Sequence, residues 1–509
     1  MHHLHHKAHS RRLALRHIAS LAGITVLPNY AWALPQPAAS AEELPHLTYR
    51  ALSRIGYGPH PDLLAAVQAA GDPAAWSLAQ IGLAQAASQH APAMPAELAE
   101  FQGPLPSLFE AAKQERKLRA EIKAGATVAE SEALRRLDFT APHDPLHFSR
   151  TVAQQAAVWH LRAASMPTEE NPLLARMTEF WFNHLNVYVG KGAVRPFAGH
   201  YLVHVARAHA LGKFEDLLLA SARHPAMLLY LDQSQSVAEG TRGGRSRGLN
   251  ENYARELMEL HTLGVSGGYT QNDVRELARV LTGWTVDPDG SSGFRFMSRA
   301  HDGGAKLVMG QRFSGAGLLG GDGESEGVRA IRMLARHPKT AKRISLRLAQ
   351  FFVSDTPSPT LVARMSEVFL ASGGDISELL RVLIASDDFW NPENRLFKTP
   401  MDYACSALCA IQGAADRRSL ELTLGFLNNA GQPLHGWQTP DGYKTDAATW
   451  LVPEALTRRA DFALALTRRT PPLGFLEPFV SASTRATVVS EKADLRAGLL
   501  LASPEFMYK

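Results

Sequence analysis

Along this 509-residue chain, apolar residues recur at intervals of three and four and almost never in strict alternation. That spacing puts them on one side of a helix, whereas a half-buried strand needs a period of two. Val274, Leu277, Ala278 and Leu281 form one such stripe, and "TQND" ahead of it spaces Thr270 and Asp273 for a reciprocal capping box. Asn171 before Pro172 marks another start, for a helix running through "LLARMTEFWFNHLNVYV". "DLLAAVQAAGDPAAWSLAQIGLAQAAS" is alanine-rich and helical with a break near Gly71 and Pro73, and "LFEAAKQERKLRAEIKAG" reads as a charged, exposed helix. Residues 91–107, with four prolines, and "TAPHDPLHF" are connectors. The pattern predicts an all-α fold: a large multi-helical single domain in which an N-terminal helical segment, 34–145, packs with the main helical domain, 146–509. The glycine-rich stretch from Phe294 to Gly327 is expected to be a long irregular insertion with at most a short β-hairpin.

The first 33 residues read differently. "SRRLALRH" is basic, "IASLAGITVLPNY" is weakly apolar, and "AWA" ending at Ala33 offers small residues for cleavage. The pair Arg11–Arg12 resembles a twin-arginine export signal, so the protein is expected to be periplasmic or secreted. Lys7, Arg11, Arg12 and Arg16 are the only charged side chains in 1–33, so 49 of the 53 basic residues remain beyond it, against 49 acidic ones. A balance of zero gives no reason to expect a nucleic-acid partner or an anionic membrane surface, and no later stretch is apolar enough to span a bilayer. Two cysteines, Cys405 and Cys409, exclude a disulfide framework and read as buried thiols.

The chemistry concentrates in "NENYARELMELHTLG", residues 250–264. As one amphipathic helix capped by Asn250, it puts Tyr253, Ala254, Leu257, Met258 and Leu260 on one side and Glu251, Asn252, Arg255, Glu256 and Glu259 on the other. His261 falls in the middle of the apolar side. His184 does the same in the helix after Pro172, among Leu173, Met177, Phe180, Trp181 and Tyr188. A buried imidazole needs a partner for its ring nitrogens, and neither helix supplies one internally. The two histidines are therefore expected to face another polar element, each other's helix being the first choice. Asn252, Glu256 and Glu259 form a polar stripe in which the two glutamates are close enough to raise each other's proton affinity if desolvated.

Six blocks extend this pattern: "ALSRIGYGPHP", "MTEFWFNHLNV", "NENYARELMELHTLGVSGGYTQNDVRELARVLTGWT", "HDGGAKLVMG", "FWNPENRLFKTPMDY" and "GWQTPDGY...TWLVPEALTRRADFA". In this order they resemble the bacterial family catalogued as domain of unknown function 1800, over nearly the whole chain. The resemblance implies export and frequent gene neighbourhood with a second exported family, numbered 1501, that is similar to sulfatases and alkaline phosphatases. It implies work on an extracellular polymer but brings no catalytic residues with it.

Three functions fit these residues. A hydrolase acting on a cell-envelope or extracellular glycan would use Glu256 or Glu259 as the acid, with the opposing carboxylate from Asp273 or Asp302. His184, Asn252, His261, Trp284 and Lys398 would then contact substrate, with Trp181 or Trp284 stacking on sugars. A divalent-metal enzyme would draw on His184, His261, His301, Asp302 and a glutamate, although no compact ligand motif occurs. A non-catalytic scaffold for the sulfatase-like neighbour would need the same polar residues only as a structural network. In addition, "AEGTRGGRSRG" offers Arg242, Arg245 and Arg247 to anions.

Overall fold

Helices begin where the sequence places a side-chain acceptor just before proline. Helix α1 (Pro172–His184) is capped by Asn171, whose Oδ1 accepts from the N–H groups of Leu173 and Leu174 at 3.0 and 3.1 Å. Three histidines act in the same way ahead of Pro61, Pro225 and Pro338. The Nδ1 atoms of His60, His224 and His337 accept the N–H two residues on, at 3.2, 3.1 and 3.1 Å. A ring nitrogen can accept only while unprotonated, so these are caps made by neutral imidazole.

The computed structural model describes residues 44–125, 145–240, 248–313 and 323–509. Residues 1–33, expected to direct export, and Arg242, Arg245 and Arg247 lie outside these residues. The chain from Pro37 to Lys509 clusters as one unit, mostly helical as its periodicity predicts. Among the described residues no helix is long and apolar enough to cross a membrane.

The segment 250–264 is not one regular helix. Helix α2 (Asn252–Glu256) passes directly into a π-helix, Leu257–Thr262. Asn250 holds its start as expected, accepting from the Asn252 N–H at 2.9 Å and donating to the Asp232 carbonyl at 3.1 Å. The wider coil shifts the hydrogen-bond frame by one residue, and the Thr262 hydroxyl takes up the Leu257 carbonyl at 2.6 Å. Helix α3 (Gln271–Leu281) follows, with the Thr270–Asp273 capping box in place.

The glycine-rich insertion holds two hairpins rather than at most one. Strand β1 (Trp284–Val286) pairs antiparallel with β2 (Phe294–Phe296), Trp284 opposite Phe296, and β3 (Lys306–Val308) pairs antiparallel with β4 (Gln311–Phe313). Helices α4 (Gly323–Ala335), α5 (Pro338–Phe352) and α6 (Pro400–Ile411) come next among the elements that matter here.

Two buried apolar clusters fill the interior. The larger contains Trp181 of α1, Leu257, Leu277 of α3 and Leu348 of α5. The smaller is built on α6, with Tyr403 and Leu408 packed against Phe426 and Phe462, and it encloses the free thiols of Cys405 and Cys409. Charges join the two. Arg176 of α1, fully buried between the rings of Tyr57 and Phe351 at 4.6 and 4.5 Å, pairs with Asp402 of α6. Lys509 closes on the other Asp402 oxygen at 2.7 Å.

Candidate functional site

The two anomalous histidines meet, though not ring to ring. His184 Nε2 donates to the backbone carbonyl of His261 at 3.1 Å. That carbonyl is free because the helix ends there, with Gly264 at φ +87°, leaving last-turn carbonyls without helical donors. Leu260 has the same need, met by Arg343 of α5, whose Nε and Nη2 donate to its carbonyl at 3.1 and 3.0 Å. Burial, followed by the Arg343 charge, holds the His261 ring down at about 3. Burial and then the charges of Arg343 and Arg347 hold His184 well below its ordinary value. Both rings are neutral and structural. His184→Phe should leave the His261 carbonyl buried without a donor and lower stability by about 1–3 kcal/mol, read as a lower urea midpoint at unchanged slope; an unmoved midpoint would show that the bond carries no weight.

The residues flanking His184 fasten a different segment. Asn183 donates to the Tyr443 carbonyl at 2.9 Å and accepts its N–H at 2.7 Å. Asn186 donates to the carbonyls of Trp437 and Thr439 at 3.0 and 2.9 Å. The sequence Asn183-His184-Leu185-Asn186 thus ties the π-helix to the loop "GWQTPDGY", which carries Asp441.

Asp441 is the carboxylate that sequence reading passed over. Its Oδ1 accepts from the Thr439 hydroxyl at 2.6 Å and the Trp437 indole at 2.9 Å, and Lys444 stands 3.5 Å from Oδ2. Burial alone would raise its pKa, but those hydrogen bonds and the Lys444 charge outweigh it and leave it lowered. Glu256 is biased the opposite way. Burial, then the charge of Glu259, raises its proton affinity, and Asp441 adds to this against the opposition of Arg255. Tyr230, donating to the Gln438 carbonyl at 2.7 Å, has its pKa raised by burial and then by both Glu256 and Asp441. Tyr269 is raised by burial and then by Glu259. Two carboxyls on separate elements therefore lie within electrostatic reach, one disposed to keep a proton and the other to lose it.

Several residues singled out in the sequence are placed elsewhere. Asp302 is held by Arg279 at 2.7 and 3.1 Å and accepts the Gly304 N–H, fastening α3 to the insertion. Asp273 is spent on its capping box and on the Met309 N–H at 2.6 Å. Trp284 is fully buried, edge-on to Phe294 at 5.1 Å, with no face free for a sugar. Trp181 is equally buried, its indole donating to the Ala210 carbonyl. Lys398 is fully buried in the smaller cluster, where it donates to the Tyr49 hydroxyl at 3.1 Å and lies 4.1 Å from the Phe506 ring centre. Asn252 is exposed and donates to the Leu231 carbonyl.

The metal reading fails to assemble. His301 donates to the Thr282 carbonyl at 2.9 Å and faces Lys306 at 3.3 Å, which in turn pairs with Glu326 at 2.7 Å. Among the described residues no three His, Cys, Asp or Glu side chains are set to hold a metal ion. A recess of about 690 Å3, lined by His209, Lys213, Asp216, Arg223 and Arg332, includes none of these residues. The Glu256–Asp441 pair is instead a surface site, with the Asp441 side chain one-third exposed.

The fold is that of a mostly helical protein, with Glu256 and Asp441 as its candidate carboxyls. The chain belongs to the family described as Protein of unknown function (DUF1800), whose model matches residues 50–508. No curated protein and no solved structure matches it.

Proposed function

We propose that the protein is a hydrolase of a cell-envelope or extracellular polysaccharide, with Glu256 as the general acid and Asp441 as the opposing carboxylate. One observation carries this reading: the two carboxyls come from different elements, and their surroundings push their proton affinities apart. Glycosidic cleavage needs that division, a proton delivered to the leaving oxygen and an ionised group for the charge developing at the anomeric carbon. A single helix bearing Glu256 and Glu259 cannot straddle a sugar ring, whereas a helix and a facing loop can. Trp437, packed on Tyr443 at 4.8 Å and partly exposed, offers the ring face that Trp284 does not. Export directed by the first 33 residues would bring the protein to such a polymer.

Glu256→Gln and Asp441→Asn are each expected to lower reducing-end release from the host's exopolysaccharide by roughly 10²–10⁴-fold. Glu259→Gln should retain activity but move the alkaline limb of kcat/KM to lower pH, because removing its charge lowers the Glu256 pKa. Undiminished release by both of the first two variants, still folded, would sink the proposal. It would favour the scaffold reading, in which activity follows association with a sulfatase-like partner.

A further inference from the structure

We propose that the recess beside the helix Phe214–Arg223 binds a small phosphorylated molecule, a phosphomonoester on a sugar-sized body. Glu256 and Asp441 do not line it, so this second site stands apart from the hydrolase reading. Three stretches of chain form its charged walls. The turn after the π-helix Leu202–Arg207 brings Lys213, the helix Phe214–Arg223 brings Asp216 and Arg223, and α4, packed on that helix, brings Arg332. Its volume of about 690 Å3 falls in the roughly 300–1,000 Å3 range of small-molecule sites.

Three cations in this lining face one acid, Asp216. Lys213 is fixed by the Ser372 carbonyl at 2.7 Å and by Asp375 at 3.1 Å. Arg223 is fixed by Glu324 and by the rings of Trp284 and Phe294, whose centres lie 5.6 and 5.3 Å from its guanidinium carbon. Those two acids position the cations without lining the recess themselves. Arg332 makes no ion pair and no hydrogen bond among the described residues, so its whole donor fork is unused. A concave wall biased to one sign of charge attracts the opposite sign. A phosphomonoester brings about −1.5 to −2 charges and three acceptor oxygens aimed in different directions, which suits cations arriving from separate walls. A carboxylate is flat and is served by a single fork. Phosphate alone would leave the apolar side chains of Leu219 and Ala220 uncovered, and a carbon body on the ester shields them from water.

Titration calorimetry on the full chain measures binding without turnover. Glucose 6-phosphate and glycerol 3-phosphate carry the ester on bodies of different size, while glucose and inorganic phosphate are the separate halves. At least one ester is expected to bind more tightly than either half, and to weaken as salt is raised. Arg332→Gln should weaken that binding about tenfold at an unchanged thermal midpoint, because the side chain it replaces holds nothing in the fold. Asp216→Asn should tighten it by roughly twofold to fivefold, since the one repelling charge is removed. Arg417→Gln, at a residue paired with Glu421 outside the lining, should change neither binding nor midpoint. Inorganic phosphate binding as tightly as both esters would reduce the recess to an ion site and overturn the proposal. So would an absence of saturable ester binding at millimolar concentration, or Arg332→Gln binding like the parent. None of these outcomes bears on the hydrolase reading, which stands or falls on release by Glu256→Gln and Asp441→Asn.

Discussion

Between pH 7 and pH 5.5 the protein is expected to lose stability, by a few kcal/mol in all. Five fully buried histidines set this. Burial lowers His160 to about 4 and His261 to about 3, and holds His184, His224 and His435 well below their ordinary value. In the unfolded chain each titrates near 6.5. The unfolded state therefore binds more protons below that point, and stability falls as the pH drops, by a little over 1 kcal/mol for each ring across this interval. The loss continues down to the folded values near 4 and 3. Glu179 and Glu256, both raised, act in the opposite sense but are two groups against these five rings and His200, which burial lowers to about 3. Two positions also need a neutral ring: His224 caps a helix through Nδ1, and one of His160 and His435 must be unprotonated to accept their shared hydrogen bond at 3.1 Å. Urea midpoints measured across the interval check this, and a flat profile would show that water reaches these rings in the folded protein.

Asp402→Ala should cost about 3–5 kcal/mol. The carboxylate is held as an anion at the join of the two apolar clusters, and removing it leaves Arg176 and Lys509, both buried and both cationic, with only Glu179, 3.4 Å from Arg176, beside them. Burial opposes its charge, but Arg176 and Lys509 prevail and keep it ionised. A replacement of the whole cluster, Asp402→Leu with Arg176→Met, Lys509→Met and Glu179→Gln, should be much milder, since no uncompensated charge remains. Denaturant unfolding of both proteins gives the comparison. A single variant within 1 kcal/mol of the parent would mean that the cluster is solvated.

How much of this was legible depends on what each residue contradicts. His184 and His261 stood out because each breaks an apolar stripe, and a buried ring was expected to find a partner; the His184 ring does, on the His261 carbonyl, whereas His261 Nε2 has none among the described residues. That the acceptor is a backbone carbonyl was not legible, because nothing in the order of residues 257–262 announces a π-helix. The capping residues were readable because their chemistry is local. Asp441 was missed because it sits on an irregular loop without periodicity, in a block noticed only as a recurring string. Asn183 and Asn186 held the available signal: two amides on either side of a buried histidine require acceptors, and only a loop has spare carbonyls in such number. Asp302, Trp284 and Lys398 were chosen from the other blocks, where such strings include the staples of a fold as readily as its working groups. Their burial and pairing separate the two.

The amide clamp on the Asp441 loop has a consequence for the energetics of turnover. A carboxylate on unstructured chain would have to be immobilised whenever a ligand arrived, and binding energy would be diverted to that ordering. Here Asn183 and Asn186 give the loop the stiffness of the helix end that bears them. The ordering is complete once the chain has folded, so a ligand at the proposed site would meet a geometry already formed.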